Sequence, residues 1–310
     1  MKETKYLIGA GGWAYFSVPG LDPLIAYSKA FNFVEINSTF YEIPSLNLVA
    51  SWRRKVPEEF YFSVRCHRSL THKYRFEPVE KAYKILNYMI SICKTLKSDI
   101  LHMQTPPSLV FDENRIRIFR DFFSSASLGN VRIALEVRQA GVKELPTNLV
   151  KVMQDFNMVH CVDLSKEKPA YKSDILYSRL FGKGKANVYQ FTDEELKEID
   201  EKASEEEHKR AILCFHGVKM YKDAARFKIY KETGKFPKVT SSVGLGSLKE
   251  VLSEDAQFPC TKRQLINSQG WKVIDLTSEK RVHAKELLEK LPEKTYFNLD
   301  EVIKALKLKF

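Results

Sequence analysis

Residues 24–41 read LIAYSKAFNFVEINSTFY, a helix-like segment running directly into a strand-like one. Leu24 to Phe31 carry apolar residues at helical spacing, whereas Val34, Ile36 and Phe40 are strand formers suited to a buried pleat. Glu35, Asn37 and Thr39 alternate with them, so these polar side chains must face either water or a lined cavity. The same unit recurs along the chain. Strand-like runs fall at 5–12, 31–38, 60–66, 99–104, 131–137, 158–164, 175–182 and 210–217, with helical spacing at 24–31, 79–96, 114–126, 145–156 and 193–210. Alternating strands and helices imply parallel pairing through right-handed crossovers, and eight such strands predict an α/β fold of the (β/α)8 TIM-barrel type over residues 1–236. A doubly wound sheet is the alternative, but GAGGW at 9–13 lacks the full glycine spacing of a dinucleotide turn and leads into Pro19–Gly20 instead of a helix.

The chain changes character after the eighth strand. Residues 237–246, rich in small and turn-forming types, read as a linker, and 247–310 read as a small all-helical domain with Thr261 and Asn298 as N-caps. The 310 residues carry 50 Lys and Arg against 39 Asp and Glu, a net charge of +11 with a pI near 9.2. Such a surface favours phosphate backbones and anionic substrates, and nucleic acid is the expected partner. No apolar run is long enough to span a membrane and no secretory leader opens the sequence, which predicts a cytoplasmic protein without a membrane partner. Five scattered cysteines (Cys66, Cys93, Cys161, Cys214, Cys260) form no C-x-x-C pair and read as reduced, buried thiols.

In a barrel of this type the site lies at the C-terminal strand ends. Those ends supply Trp13; Glu35, Asn37, Thr39 and Tyr41; Arg65, His67 and His72; Gln104; Glu136 and Arg138; Asp163; Arg179; and His216. Lys183, after the seventh strand, extends a basic rim. His102 and His160 sit within strands and read as hydrogen-bonded core residues. Glu35 and Glu136 would flank a substrate as acid and base, or else be paired, Glu35 with Arg65 and Glu136 with Arg138 or Arg179. Either way Arg65, Arg138 and Arg179 suit a phosphate or carboxylate. His67, His72, Glu136, Asp163 and His216 are ligand types for a divalent metal, but they lack close ligand spacing and arginines interleave them, so no cofactor is firmly implied.

GAGGWAYFSVPG, VEINSTFYEIPS, FYFSVR, the Thr71–His72 pair, MQTPPSL, ALEVR, VDLS and YSRLFG occur in the order found in the domain-of-unknown-function 72 family. The chain resembles that family over about residues 5–230. The resemblance implies a barrel, and the family's likeness in shape to sugar-isomerase and endonuclease-four barrels suggests DNA processing. It implies a cavity lined by Trp13, Glu35, Asn37, Thr39, Tyr41, Arg65, His72, Gln104, Glu136, Arg138, Asp163 and Arg179. Two departures stand out: Arg138 is followed by Gln139 and Ala140 where the family tends to carry a tryptophan, and Phe215-His216-Gly217 replaces an asparagine-containing end. FPCTKRQLI with the helices after it resembles the domain-of-unknown-function 2795 module, a family without an assigned biochemical role, and the tail would bind a protein partner or nucleic acid, or cap the barrel.

The reading that follows is a nucleic-acid-processing barrel hydrolase of nuclease or DNA-repair type, acting on phosphodiester or glycosidic bonds. Glu35, Glu136, His72 and Asp163 are its candidate catalytic residues. Trp13, Asn37, Thr39, Tyr41, Arg65, Gln104, Arg138, Arg179 and Lys183 would bind the substrate and its phosphate. A non-catalytic binding protein for nucleic acid or a phosphorylated metabolite is the alternative.

Overall fold

Eight parallel strands close the expected ring in a computed structural model that describes residues 4–139 and 144–308. They are β1 (Lys5–Ala10), β2 (Phe33–Ile36), β3 (Tyr61–Arg65), β4 (Ile100–Gln104), β5 (Arg132–Glu136), β6 (Val159–His160), β7 (Ile175–Leu180) and β8 (Arg210–Phe215). The ladder runs β6-β5-β4-β3-β2-β1-β8-β7, and a parallel bridge between Val162 and Ser178 joins its two ends. Each strand lies at its expected place, because continuous apolar runs buried on both faces are what a parallel barrel requires.

Helices follow the strands: α1 (Pro23–Ala30), α2 (Leu46–Arg54), α3 (Glu80–Leu96), α4 (Glu113–Ser124), α5 (Thr147–Asp155), α6 (Asp193–Ser204) and α7 (Met220–Thr233). Two were not legible beforehand. In α2 (LNLVASWRR) only Val49 is fully buried, so the helix shows little inner face, and α7 buries Asp223 and Arg226 on the same side as Ala224 and Phe227. Charged residues on an inner face disguise the helical period. The segment 193–210 also leaves the helix early. His208 Nδ1 lies 2.7 Å from the Ser173 carbonyl and Lys209 N–H donates to Asp174, so the chain is already entering β8.

The barrel interior is filled at its base by Leu7, Phe33, Ile100, Ala134, Val159, Ile175, Tyr177 and Ile212. A Cβ on Gly9 would lie 1.9 Å from the Phe33 carbonyl oxygen, so only glycine lets β1 and β2 approach as they do.

The chain divides into two compact units, one of Met1–Leu180 with Lys202–His216, the other of Phe181–Glu201 with Gly217–Phe310. This division differs from the expected boundary at 237–246. The reason is a buried network within the second unit. Asp193 accepts bonds from Arg226 (2.5 Å) and Arg281 (2.8 Å), and Arg281 also donates to Asp275 (3.1 Å). The expected linker is irregular chain, yet Val239 and Thr240 donate their backbone N–H groups to Asp275.

The last part contains helices α8 (Leu245–Ser253), α9 (Lys262–Gln269), α10 (Lys285–Leu288) and α11 (Leu299–Lys307). Thr261 caps α9 in a reciprocal capping box and Asn298 caps α11, as their positions predicted. The all-helical expectation needs one correction, since two short antiparallel pairs join the helices. They are β9 (Cys260–Thr261) with β12 (Thr295–Tyr296), and β10 (Val273–Asp275) with β11 (Arg281–His283). Arg281–His283 lies within the span expected to be helical, but its ladder with β10 and the Arg281–Asp275 ion pair hold it extended. Among the described residues no helix is long and apolar enough to cross a membrane.

Candidate functional site

Glu35, the first polar residue of the β2 alternation, points into the barrel and is wholly buried. Its expected partner was Arg65. The structure corrects this: Arg179 from β7 reaches across and places Nε 3.1 Å and Nη2 3.0 Å from Glu35 Oε1. The hydroxyl of Tyr177 donates to Glu35 Oε2 (2.7 Å), and His216 Nε2 lies 3.4 Å from Oε1. β8 stands two strands from β2, past β1, and β7 three, so their side chains meet Glu35 across the barrel interior, a proximity that no local pattern specifies.

Glu136 at the end of β5 takes the other side of the same guanidinium. Arg179 Nη1 is 2.6 Å from Glu136 Oε2, and Arg138 Nε donates to Oε1 at 2.5 Å, so both expected partners of Glu136 engage it. His102, expected to be a core residue, stands between the two carboxylates. Its Nε2 lies 3.1 Å from Glu136 Oε2 and its Nδ1 3.6 Å from Glu35 Oε2, the latter too long for a hydrogen bond. His102, Tyr177 and Ser63, whose hydroxyl is 2.7 Å from that of Tyr177, were missed as site members because each sits mid-strand in an apolar run.

Burial alone would raise both carboxyls, but Arg179 and the neighbouring histidines overcome it and hold Glu35 and Glu136 well below the usual carboxylate range. The carboxylates in turn hold Arg179 charged against its burial. Burial, assisted by Arg179, keeps His102 below its ordinary value and lowers His216 to about 4, so both imidazoles are neutral at pH 7. Gly11 makes room for this corner: a Cβ there would lie 2.5 Å from His216 Nδ1 and 2.6 Å from Asn37 Nδ2.

Arg65, at the end of β3, differs from the other two arginines. Its guanidinium donates only to neutral acceptors, Asn37 Oδ1 (3.1 Å) and Gln104 Oε1 (2.6 Å), and stacks 3.8 Å over the Phe40 ring. Its Nε is buried with no hydrogen-bond partner, and among the described residues no carboxylate lies within ion-pair distance. Burial and the nearby Arg179 lower its pKa. Gln104 Oε1 also accepts from Arg179 (3.1 Å), which commits its carbonyl inward and leaves its NH₂ as the remaining donor.

The other expected residues fall in varied roles. Thr39 is fully buried, its hydroxyl 2.6 Å from the Arg65 carbonyl, so it fastens β2 to β3 and faces no ligand. His72 lies on a single π-helical turn, Ser69–Lys73; its ring packs edge-on against Phe40 at 5.3 Å, beside the Arg65 stack, and its Nδ1 meets Thr71 Oγ1 at 2.8 Å. Partial burial, with Arg65, Arg68, Arg138 and Arg75, lowers its pKa and keeps it neutral at pH 7. Asp163 engages Ser165 and Lys166 (3.0 Å). Trp13 packs edge-on against Trp52 at 5.4 Å, and Tyr41 is largely exposed. Lys183 belongs to the second compact unit, where it pairs with Glu195 at 3.1 Å. Ala140, part of the departure after Arg138, lies outside the described residues.

Two donor groups could hold a metal by distance, Glu35 with Cys214 and His216, and His102 with Glu136 and Cys161, each within 4.8 Å. Their chemistry fits poorly. Burial raises both thiols well above their usual range, and both carboxylates are already bonded to Arg179, whose charge opposes a cation.

A ring of parallel strands with charged groups gathered at its C-terminal ends makes this a TIM-type barrel protein with a polar mouth. The chain belongs to the DUF72 family, described as a protein of unknown function, whose model matches residues 7–234. It is similar to the UPF0759 protein YunF of Bacillus subtilis, 28% identical over 120 residues that make up 37% of this chain and 42% of that relative, so the match spans less than half of the relative's length. Solved structures of DUF72 family proteins from Enterococcus faecalis (17% identity, TM-score 0.56, 75% of this chain and 98% of that one) and Thermotoga maritima (19%, 0.57, 74% and 99%) share the fold.

Proposed function

We propose that the barrel mouth binds the phosphate of a nucleic-acid strand and hydrolyses a bond beside it. The observation that carries this reading is Arg65, a buried guanidinium with neutral partners and an unsatisfied Nε. A buried charge without a counter-charge is costly, and an incoming anion offsets that cost. Arg179 and Arg138, set by Glu136, would complete a positive floor, and Gln104 would add a neutral donor. Because Glu136 is held well below the ordinary carboxylate range, it is a weak base and serves better to orient the guanidiniums. Proton transfer falls to His72, which is neutral and shares the Phe40 ring with Arg65. The net charge of +11 favours nucleic acid as the source of the phosphate.

The engaged state of both carboxylates favours a second reading, a binding protein without turnover. Anisotropy of labelled single-stranded DNA across a salt series tests what the two share. Arg65→Met should weaken binding at least tenfold, and no binding by the native protein at low salt would sink nucleic acid as the ligand in both readings and leave only a binder of a phosphorylated metabolite. Cleavage of intact or abasic strands, lost in His72→Ala with binding kept, selects the enzyme. The C-terminal helical part is proposed as the module that meets a protein partner.

A further inference from the structure

Between Glu59 and Glu77 the sequence contains no acidic residue, while Arg65, Arg68, Lys73 and Arg75 are basic. This is the connection from β3 to α3 that carries His72. Among the described residues Arg65, Arg68 and Arg75 form no ion pair, and Arg75 donates only to the His72 carbonyl (3.5 Å) and Ser108 Oγ (3.3 Å). Like charges on one short loop repel, so something must hold them together. Phe76 does so from below, wholly buried and packed on Phe119 (4.8 Å), Phe122 and Phe123. Arg115 clamps the loop from the side, donating to the Arg75 carbonyl (3.2 Å) and to Glu77 (2.8 Å). Arg75 and Phe76 both adopt positive φ (48° and 62°), a conformation costly for non-glycine residues that the Phe76 packing sustains.

Arg68, exposed three residues after Arg65, and Arg75, tethered to the His72 carbonyl and Ser108, give this loop positive charge with no acidic residue of its own, which suits it to an anion. We propose that Arg68 and Arg75 form a second phosphate subsite, so that the substrate is a strand with at least two consecutive phosphates, one on Arg65 and the next on the β3–α3 loop. The inference rests on the assignment of Arg65 to a phosphate. Exposed Tyr41 and the partly buried Tyr74, whose ring lies 5.4 Å from Lys73 Nζ, would offer faces for bases.

The test is calorimetric titration of the whole chain with thymidine monophosphate, the dinucleotide pTpT and inorganic tripolyphosphate. The native protein should bind pTpT at least tenfold more tightly than the mononucleotide. Arg68→Glu, a change at an exposed position that leaves the packed loop intact, and the double variant R68A/R75A should each remove most of that increment while mononucleotide affinity falls far less. The slope of log affinity against log salt should drop by roughly 0.7 per lost contact. Equal affinities for the two nucleotides in the native protein, or an increment untouched in both variants, overturn the second subsite. Tripolyphosphate binding as tightly as pTpT overturns the assignment to a strand. Mononucleotide affinity unchanged in Arg65→Met overturns the Arg65 reading itself, and no binding of either nucleotide overturns both.

Discussion

Arg179→Met is the most informative single perturbation of the barrel. Arg179 is 2% exposed and is the only guanidinium among the described residues within 4 Å of both Glu35 and Glu136. Methionine fills much of the volume but leaves Glu35 buried without a guanidinium and Glu136 held by Arg138 alone, with a neutral imidazole between them. Removing one partner of a buried ion pair costs about 3–5 kcal/mol, and at about 2–4 °C per kcal/mol for a unit of this size the melting temperature should fall by roughly 6–20 °C. The pH dependence gives the sharper test. In the native protein both carboxyls titrate below their unfolded values, so their contribution is present above about pH 4.3 and is lost as pH falls through the folded pKa. Without Arg179 the burial of Glu35 is no longer outweighed and its folded pKa is expected to rise above the unfolded one, so the variant gains from its protonation and loses stability as pH rises. The gap between native and variant should therefore narrow on going from pH 7.5 to pH 4.5. Urea unfolding followed by circular dichroism at the two pH values measures it. A loss under about 1 kcal/mol at pH 7.5, or a gap that widens in acid, would refute the placement of Arg179 between the carboxylates.

Asp223, buried beside Arg226, has its pKa raised to about 7 by burial against the pull of that arginine. A folded value above the unfolded one means stability is full in acid and declines as pH rises through about 7, so Asp223→Asn should flatten the decline seen in thermal melts between pH 5 and 8. Thr261→Ala removes the cap of α9 and should cost about 1 kcal/mol in urea unfolding, with Thr261→Ser close to native. All five cysteines are buried, and burial raises their thiols, so a thiol reagent at pH 7.5 should label none within minutes in the native protein and five after denaturation. Rapid labelling of Cys214 or Cys161 would contradict the closed barrel floor.

Strand positions, their parallel order and the polar ends of the strands were written in the sequence, because parallel strands buried on both faces need continuous apolar runs and break that rule only where they meet the mouth. The N-caps Thr261 and Asn298 were legible for the same local reason. Partnership was not. Glu35 belongs to Arg179, 144 positions away, and not to Arg65, since ring closure decides which strand ends face each other across the barrel. His102 and Tyr177 read as core because residue type alone does not distinguish a buried histidine that packs from one that bridges two carboxylates. Helix α7 was hidden for a related reason: Asp223 and Arg226 lie on its inner face, where Arg226 is met by Asp193 and the Phe191 carbonyl and Asp223 by the Phe191 N–H, groups distant in the chain. Local pattern sets what each segment becomes, and only the closed tertiary arrangement decides which charges meet and which, like Arg65, meet only neutral groups.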